Sequence, residues 1–130
     1  MLRLEIVTPE KRVLDETVDT VTIPTQSGEI GILPEHAPLI SALRAGILSY
    51  TKGGTTDKIV VSGGFVEVGA NRVSVLADTA EYTDEIDVAA ARAQLEQGER
   101  AIGTLSGEEF EVAREQIERA EARLQLTAGR

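Results

Sequence analysis

The composition of this chain breaks near Thr83 and Asp84, and that break limits the possible folds more than any single motif. All four prolines (Pro9, Pro24, Pro34, Pro38) and eight of the twelve glycines precede it, with most of the Val, Ile and Thr. Beyond it come Ala, Glu, Gln, Leu and Arg, with no Lys, no Pro and no aromatic residue except Phe110. The first grammar is that of short strands and turns, and the second is helical. Residues 1–84 are therefore read as an all-β domain and residues 85–130 as a segregated two-helix hairpin.

Within the first part, Leu2, Leu4 and Ile6 alternate with Arg3 and Glu5, as in a strand with one buried face. Arg12 to Leu14 follows, then Val18 to Ile23, which Pro24 and the turn residues Thr25-Gln26-Ser27-Gly28 are expected to stop. Further strands are expected at Ile30 to Leu33, Leu39 to Leu43, Ile47 to Thr51, Lys58 to Ser62, Phe65 to Val68 and Arg72 to Leu76. Gly, Pro or Asn marks nearly every joint. Eight or nine short strands at this spacing predict an antiparallel β-sandwich or barrel.

In the second part Val88, Ala91, Leu95, Gly98 and Ile102 line one helix face, and Phe110, Ala113, Ile117, Ala120 and Leu124 line another at the same spacing. Gly103 and Gly107 fall in the break between them. Ser106 followed by Glu109 is a capping-box signature for the second helix, and Thr83 or Asp84 is placed to cap the first. Small residues in both seams allow close approach but bury little apolar area, less than an independent unit needs. The hairpin must lean on the sandwich or on another protein, and two such arrangements of similar energy make a switch. A tail packed permanently on the sandwich is the other outcome.

Charge narrows the function. Against 22 acidic side chains stand 13 basic ones, a net charge of −9, which disfavours nucleic acid and anionic membrane surfaces as partners. The longest aliphatic run, Ile59-Val60-Val61, is far short of the roughly 20 apolar residues of a spanning helix, so no membrane insertion is expected. Charges interleaved through Met1 to Ile6 do not read as a secretion signal, and a cytoplasmic protein is expected.

Catalytic chemistry is hard to assemble. Cysteine is absent and His36 is the single histidine, which leaves no thiol nucleophile and no common zinc set, so no metal is expected. Ser62-Gly63-Gly64 lacks the flanks of a nucleophile elbow, and no phosphate-binding lysine loop or dinucleotide fingerprint occurs. The helix carboxylates fall into four-apart ion pairs such as Glu96 with Arg100 and Glu115 with Arg119. The chain reads as a non-enzyme.

The stretch Gly28-Glu29-Ile30-Gly31-Ile32-Leu33-Pro34-Glu35-His36-Ala37-Pro38-Leu39-Ile40 closely resembles the epsilon-subunit family of F-type ATP synthases. The resemblance continues through Gly46-Ile47-Leu48, Ser62 to Val68 and Val73 to Glu81, and ends in a helical hairpin of the expected length. It implies a non-catalytic rotor subunit of the central stalk, peripheral to the energy-transducing membrane on its cytoplasmic side. The sandwich would hold the gamma subunit and rest on the polar loops of the c-ring. The hairpin would regulate ATP hydrolysis, permitting it when folded on the sandwich and inhibiting it when extended into the alpha-beta catalytic head.

Residue by residue, Glu29, Ile30 and Gly31 with Pro34, Glu35, His36, Ala37 and Pro38 match the family's ring-facing and stalk-facing loops, and Arg114, Arg119 and Arg123 resemble its basic positions for the head. A solvated turn carboxylate is the alternative for Glu29, and a solvated helix face for the arginines. Some members bind ATP on the folded hairpin. Here Ile86 and Asp87 begin that pattern and Arg119 and Arg123 resemble its helical partner, but the arginine position holds Ala90 and the nearest basic residue is Arg92. Two residues rotate a helical side chain by about 200°, so ATP binding is expected to be weak or absent. The rival reading is a free-standing ligand-binding sandwich with a helical dimerisation tail. Only Tyr50, Phe65, Tyr82 and Phe110 supply aromatic surface for it.

Overall fold

The computed structural model describes residues 1–128; residues 129–130, the end of the stretch expected as the hairpin, lie outside the described residues. The strands are β1 (Leu2–Val7), β2 (Arg12–Val18), β3 (Thr20–Thr25), β4 (Gly28–Ile32), β5 (Leu39–Ala42), β6 (Gly46–Lys52), β7 (Thr55–Ser62), β8 (Phe65–Val68), β9 (Arg72–Leu76) and β10 (Thr79–Glu81). A single 3-10 turn at Thr83–Glu85 leads into α1 (Val88–Ala101), and a second at Ile102–Thr104 leads to α2 (Gly107–Thr127).

The strands form two five-stranded sheets, ordered β2-β1-β9-β8-β5 and β10-β7-β6-β3-β4. Alternation puts Leu2, Leu4 and Ile6 of β1 inside, with Val66, Val73 and Val75, facing Val21, Ile23, Leu48, Ile59 and Val61 of the other sheet. Pairing is antiparallel with one exception, since β1 runs parallel to β9. A parallel pair needs a long crossover, and the chain between these strands supplies it, building β3, β4, β6 and β7 of the second sheet on the way. Pro24 does not stop β3 but lies inside it. Ladder pairing from β3 to β6 ends at Thr22, so a missing N–H at Pro24 removes no bond to that neighbour.

Two capping expectations are corrected. The residues Thr83 and Asp84 lie in the 3-10 turn, and Asp87 caps α1 instead, its Oδ1 accepting the Ala90 N–H at 3.0 Å. Ser106 does hold the N-cap position of α2 in extended backbone, but its side chain makes no capping bond. The apolar spacing, by contrast, positions the helices as expected. Ala91 and Gly98 are buried against Ala113 and Ala120, and a Cβ on Gly98 would stand 2.6 Å from Ile117 Cγ1. Glycine is what lets the two axes approach there.

Candidate interaction surfaces

The β7 run Ile59-Val60-Val61 is buried on both faces, because a strand that alternates inward and outward has Val60 pointing away from the core. Docking of α2 covers that outward face. Val60, Ile86 and Ala122 make a second small cluster, flanked by Ile47 and Leu126. Val60 and Ile86 are the large fully enclosed side chains here, worth about 1.5–3 kcal/mol each in gross burial.

Charged residues frame this contact. Arg44 donates to Glu118 of α2, and Arg114 pairs with Glu111 at 2.6 Å and with Glu118 at 3.8 Å. At the far edge the Glu81 carboxylate ends β10 and accepts from Arg123 at 2.6 Å, with Arg119 at 3.5 Å. Arg123 also donates to Gln94 of α1 at 3.2 Å. Arg119 thus turns toward the sandwich, where the four-residue spacing had pointed it to Glu115.

The outer face of the other sheet is divided. Over β1, β2 and β9 it carries a charge network in which Arg3 grips both oxygens of Asp15 at 3.1 Å, Arg72 binds the buried Glu5 at 2.6 Å, and Arg12 reaches Asp15 at 3.3 Å. The hydrogen bond from Arg3 holds the Asp15 carboxyl below its ordinary range. Alongside runs an apolar row set by register, Ala42 beside Phe65, Phe65 beside Leu76, and Leu76 beside Val7. Phe65 is 45% exposed, Leu76 41% and nearby Ile40 70%.

The two loops singled out in the sequence lie at opposite ends of β4, about 13 Å apart along a strand of that length. Glu29 and Gly31 are exposed near the β3–β4 turn, with Ile30 half-buried against the core. At the other end Pro34, Glu35, Ala37 and Pro38 are exposed around a half-buried His36, whose Nδ1 lies 2.7 Å from the Ala37 carbonyl. Glu35 adopts φ 64°, and its N–H points to Ala70 O and to Asn71 Oδ1 at 3.3 Å. The turn between β8 and β9 thereby braces this loop.

The residues of the partial nucleotide pattern have partners inside the chain. Ile86 packs on Val60, Asp87 caps α1, and Arg119 and Arg123 hold Glu81, while Arg92 stands exposed on α1. A cleft of about 710 Å³ between the helices is lined by Gln94, Gln97, Leu105, Glu108, Val112 and Gln116, among others. It pairs no nucleophile with a base. Among the described residues no group of three or more His, Cys, Asp or Glu is arranged to hold a metal, and no helix is long and apolar enough to cross a membrane.

Comparison with known proteins decides the family. Residues 1–83 match the model of the ATP synthase delta/epsilon chain β-sandwich domain. The chain is 50% identical over 115 residues to the ATP synthase epsilon chain of Desulforamulus reducens, covering 88% of this chain and 86% of that one. This chain belongs to the ATP synthase epsilon chain family. The epsilon chain of Geotalea uraniireducens is 43% identical over 129 residues, 98% of this chain and 94% of the relative, so the likeness runs through the hairpin. A chain in the cryo-EM structure of the OSCP/F1/c-ring part of Euglena gracilis mitochondrial ATP synthase superposes with a TM-score of 0.82 at 27% identity, over 98% of this chain and 81% of that one.

As an epsilon-family member the chain is a non-catalytic subunit. The free-standing ligand-binding reading finds no support. Both helix seams are used within the chain, α1 against α2 and α2 against β6 and β7. Sequence reasoning missed Glu81, Gln94, Arg44 and Glu118, whose roles appear only when the hairpin folds back. It also missed the outer apolar row, although Phe65 and Leu76 on the solvent phase of their strands were a signal.

Proposed function

We propose that this chain is the epsilon-type rotor subunit of a proton-transporting F-type ATP synthase, with the sandwich as anchor and the hairpin as regulator of ATP hydrolysis. The observation that carries this reading is the two-sidedness of the body. One sheet is covered by a helix that docks through a small apolar cluster and a frame of ion pairs. The opposite sheet presents Phe65, Leu76 and Ile40 uncovered, a surface suited to a lasting protein contact.

On this reading the uncovered sheet takes the gamma subunit. The exposed turn at Glu29 and the braced Pro34 to Pro38 loop serve the stalk and the polar loops of the c-ring, where a fixed backbone loses little entropy on docking. Arg114, Arg119 and Arg123 meet the alpha-beta head once α2 leaves the sandwich. The subunit is peripheral, on the cytoplasmic face of the energy-transducing membrane. Residues 1–84 act as the anchor and 85–130 as the regulatory unit.

The test is add-back to membranes carrying a synthase stripped of its own epsilon chain. Full chain is expected to restore ATP synthesis driven by an imposed proton gradient, and the variant Phe65→Arg to restore it only at much higher concentration. Equal restoration by both would remove the uncovered sheet from the stalk interface; restoration by neither would refute the rotor reading for this chain.

A further inference from the structure

Besides the apolar cluster and the Arg44–Glu118 pair, the docked hairpin is held to the sandwich at the end of β10 by one carboxylate shared by two guanidinium groups. Glu81 is the last residue of β10, and the next residue, Tyr82, packs against the main core. Four residues further on, Ile86 belongs instead to the cluster made with α2. Between them lies the 3-10 turn Thr83–Glu85, closed by the Glu85 carboxylate accepting the Tyr82 N–H at 2.9 Å. The chain therefore changes allegiance from sandwich to hairpin within one turn, and Glu81 stands on the sandwich side of it.

From that position its carboxylate takes Arg123 at 2.6 Å and Arg119 at 3.5 Å, and Arg123 carries the link on to Gln94 of α1 at 3.2 Å. One side chain thus ties β10 to both helices. The site is partly shielded, with side-chain exposure of 21% for Glu81 and 14% for Arg123, so the ion pair is screened less than a surface pair. It is also under-compensated. A single negative charge faces two positive ones, and Arg119 Nε is buried without a hydrogen-bond partner. A contact of this kind holds while it is intact and does not lock the hairpin irreversibly.

We propose that Glu81 is the latch that keeps the hairpin docked, and that on release α1, α2 and Ile86 leave together by pivoting at Thr83–Glu85 while Tyr82 stays with the sandwich. This rests on the reading that the hairpin works by leaving the sandwich. Removing the Glu81 charge frees both arginines at once and raises the undocked population, which remains the minor one.

The absence of cysteine makes the test direct, because one introduced thiol reports opening at one place. Ala122→Cys puts a thiol in the docked interface, and Ala113→Cys puts one in the seam between the helices, both at buried positions. Glu81→Gln is expected to speed labelling at position 122 at least tenfold, to leave the rate at 113 unchanged, and to preserve the circular dichroism spectrum. Arg123→Gln should give a similar gain at 122, and the double variant little more than either alone. A rate at 122 within twofold of the parent overturns the latch; a matching rise at 113 overturns departure as one unit. Faster labelling at 122 with unchanged inhibition of ATP hydrolysis supports the latch and refutes the regulatory reading instead.

Discussion

Replacing Gly64 and Gly54 by alanine, one at a time, tests how the sandwich is built. Both glycines have nearly the same left-handed backbone, φ 87° and φ 82°. An L side chain costs about 1–2 kcal/mol in that region. At Gly54, in the turn between β6 and β7, an added Cβ meets nothing within 4 Å, so the cost ends there. At Gly64 it would stand 1.8 Å from the Leu76 carbonyl oxygen and 2.9 Å from the Leu76 carbonyl carbon. A carbon normally stays about 3.3 Å or more from such an oxygen, and backbone cannot swing aside as a side chain would. Relief requires parting Phe65 from Leu76 and disturbing the bond from Leu43 N–H to Gly64 O at 3.0 Å. Overpacking of this kind costs about 1–3 kcal/mol and each lost hydrogen bond about 1 kcal/mol. Gly64→Ala should therefore lose about 4 kcal/mol, a large share of the roughly 5–15 kcal/mol available to a domain, and Gly54→Ala about 1.5 kcal/mol. Urea unfolding followed by circular dichroism reads the difference, and with a slope of about 1.5 kcal/mol per molar the midpoints should fall by about 2.5 M and about 1 M. Equal losses, within about 0.5 kcal/mol, would refute the claim that Leu76 and not backbone strain dictates glycine at 64.

Other outcomes follow from the surfaces. Phe65→Arg should leave the urea midpoint unchanged and weaken co-sedimentation with a gamma-containing stalk at least tenfold, about 1.4 kcal/mol; unchanged affinity would move the interface elsewhere. Arg3 holds the Asp15 carboxyl low, so this contact contributes fully above the ordinary carboxyl value of 3.8 and is lost as pH falls through the lowered native value. Asp15→Asn should accordingly shrink the difference in stability between pH 6 and pH 2, and an unaltered difference would contradict the assignment. Titration calorimetry with ATP should show no saturable micromolar binding by the full chain. Micromolar binding that Arg123→Ala abolishes would overturn that expectation.

The seam residues of both helices could be read from spacing because the helices bury a stripe against each other, and Ala91, Gly98, Ala113 and Ala120 are all enclosed. Most strands were legible for the same reason, since one face of each is polar. β10 was not. Its three residues are all half-buried and too few to show a period. Lys58 to Ser62 reads as a strand, and the apolar residues Ile59, Val60 and Val61 on both of its phases imply a covered outer face, although nothing local names α2 as the cover. Glu81 illustrates the hardest case. It reads as one more carboxylate in an acidic chain, and its role exists only because Arg119 and Arg123, about forty residues later, return to it. Ser106 shows the opposite failure, where a local motif marks the helix start correctly but its side chain makes no capping bond.

ATP hydrolysis by a catalytic head depleted of its own epsilon chain, measured after adding back either the full chain or residues 1–84, tests the division of labour most directly. The full chain should bind and inhibit, and the truncated chain should bind with the same affinity without inhibiting. Equal inhibition by both, or binding by both with none, would contradict the hairpin as regulator.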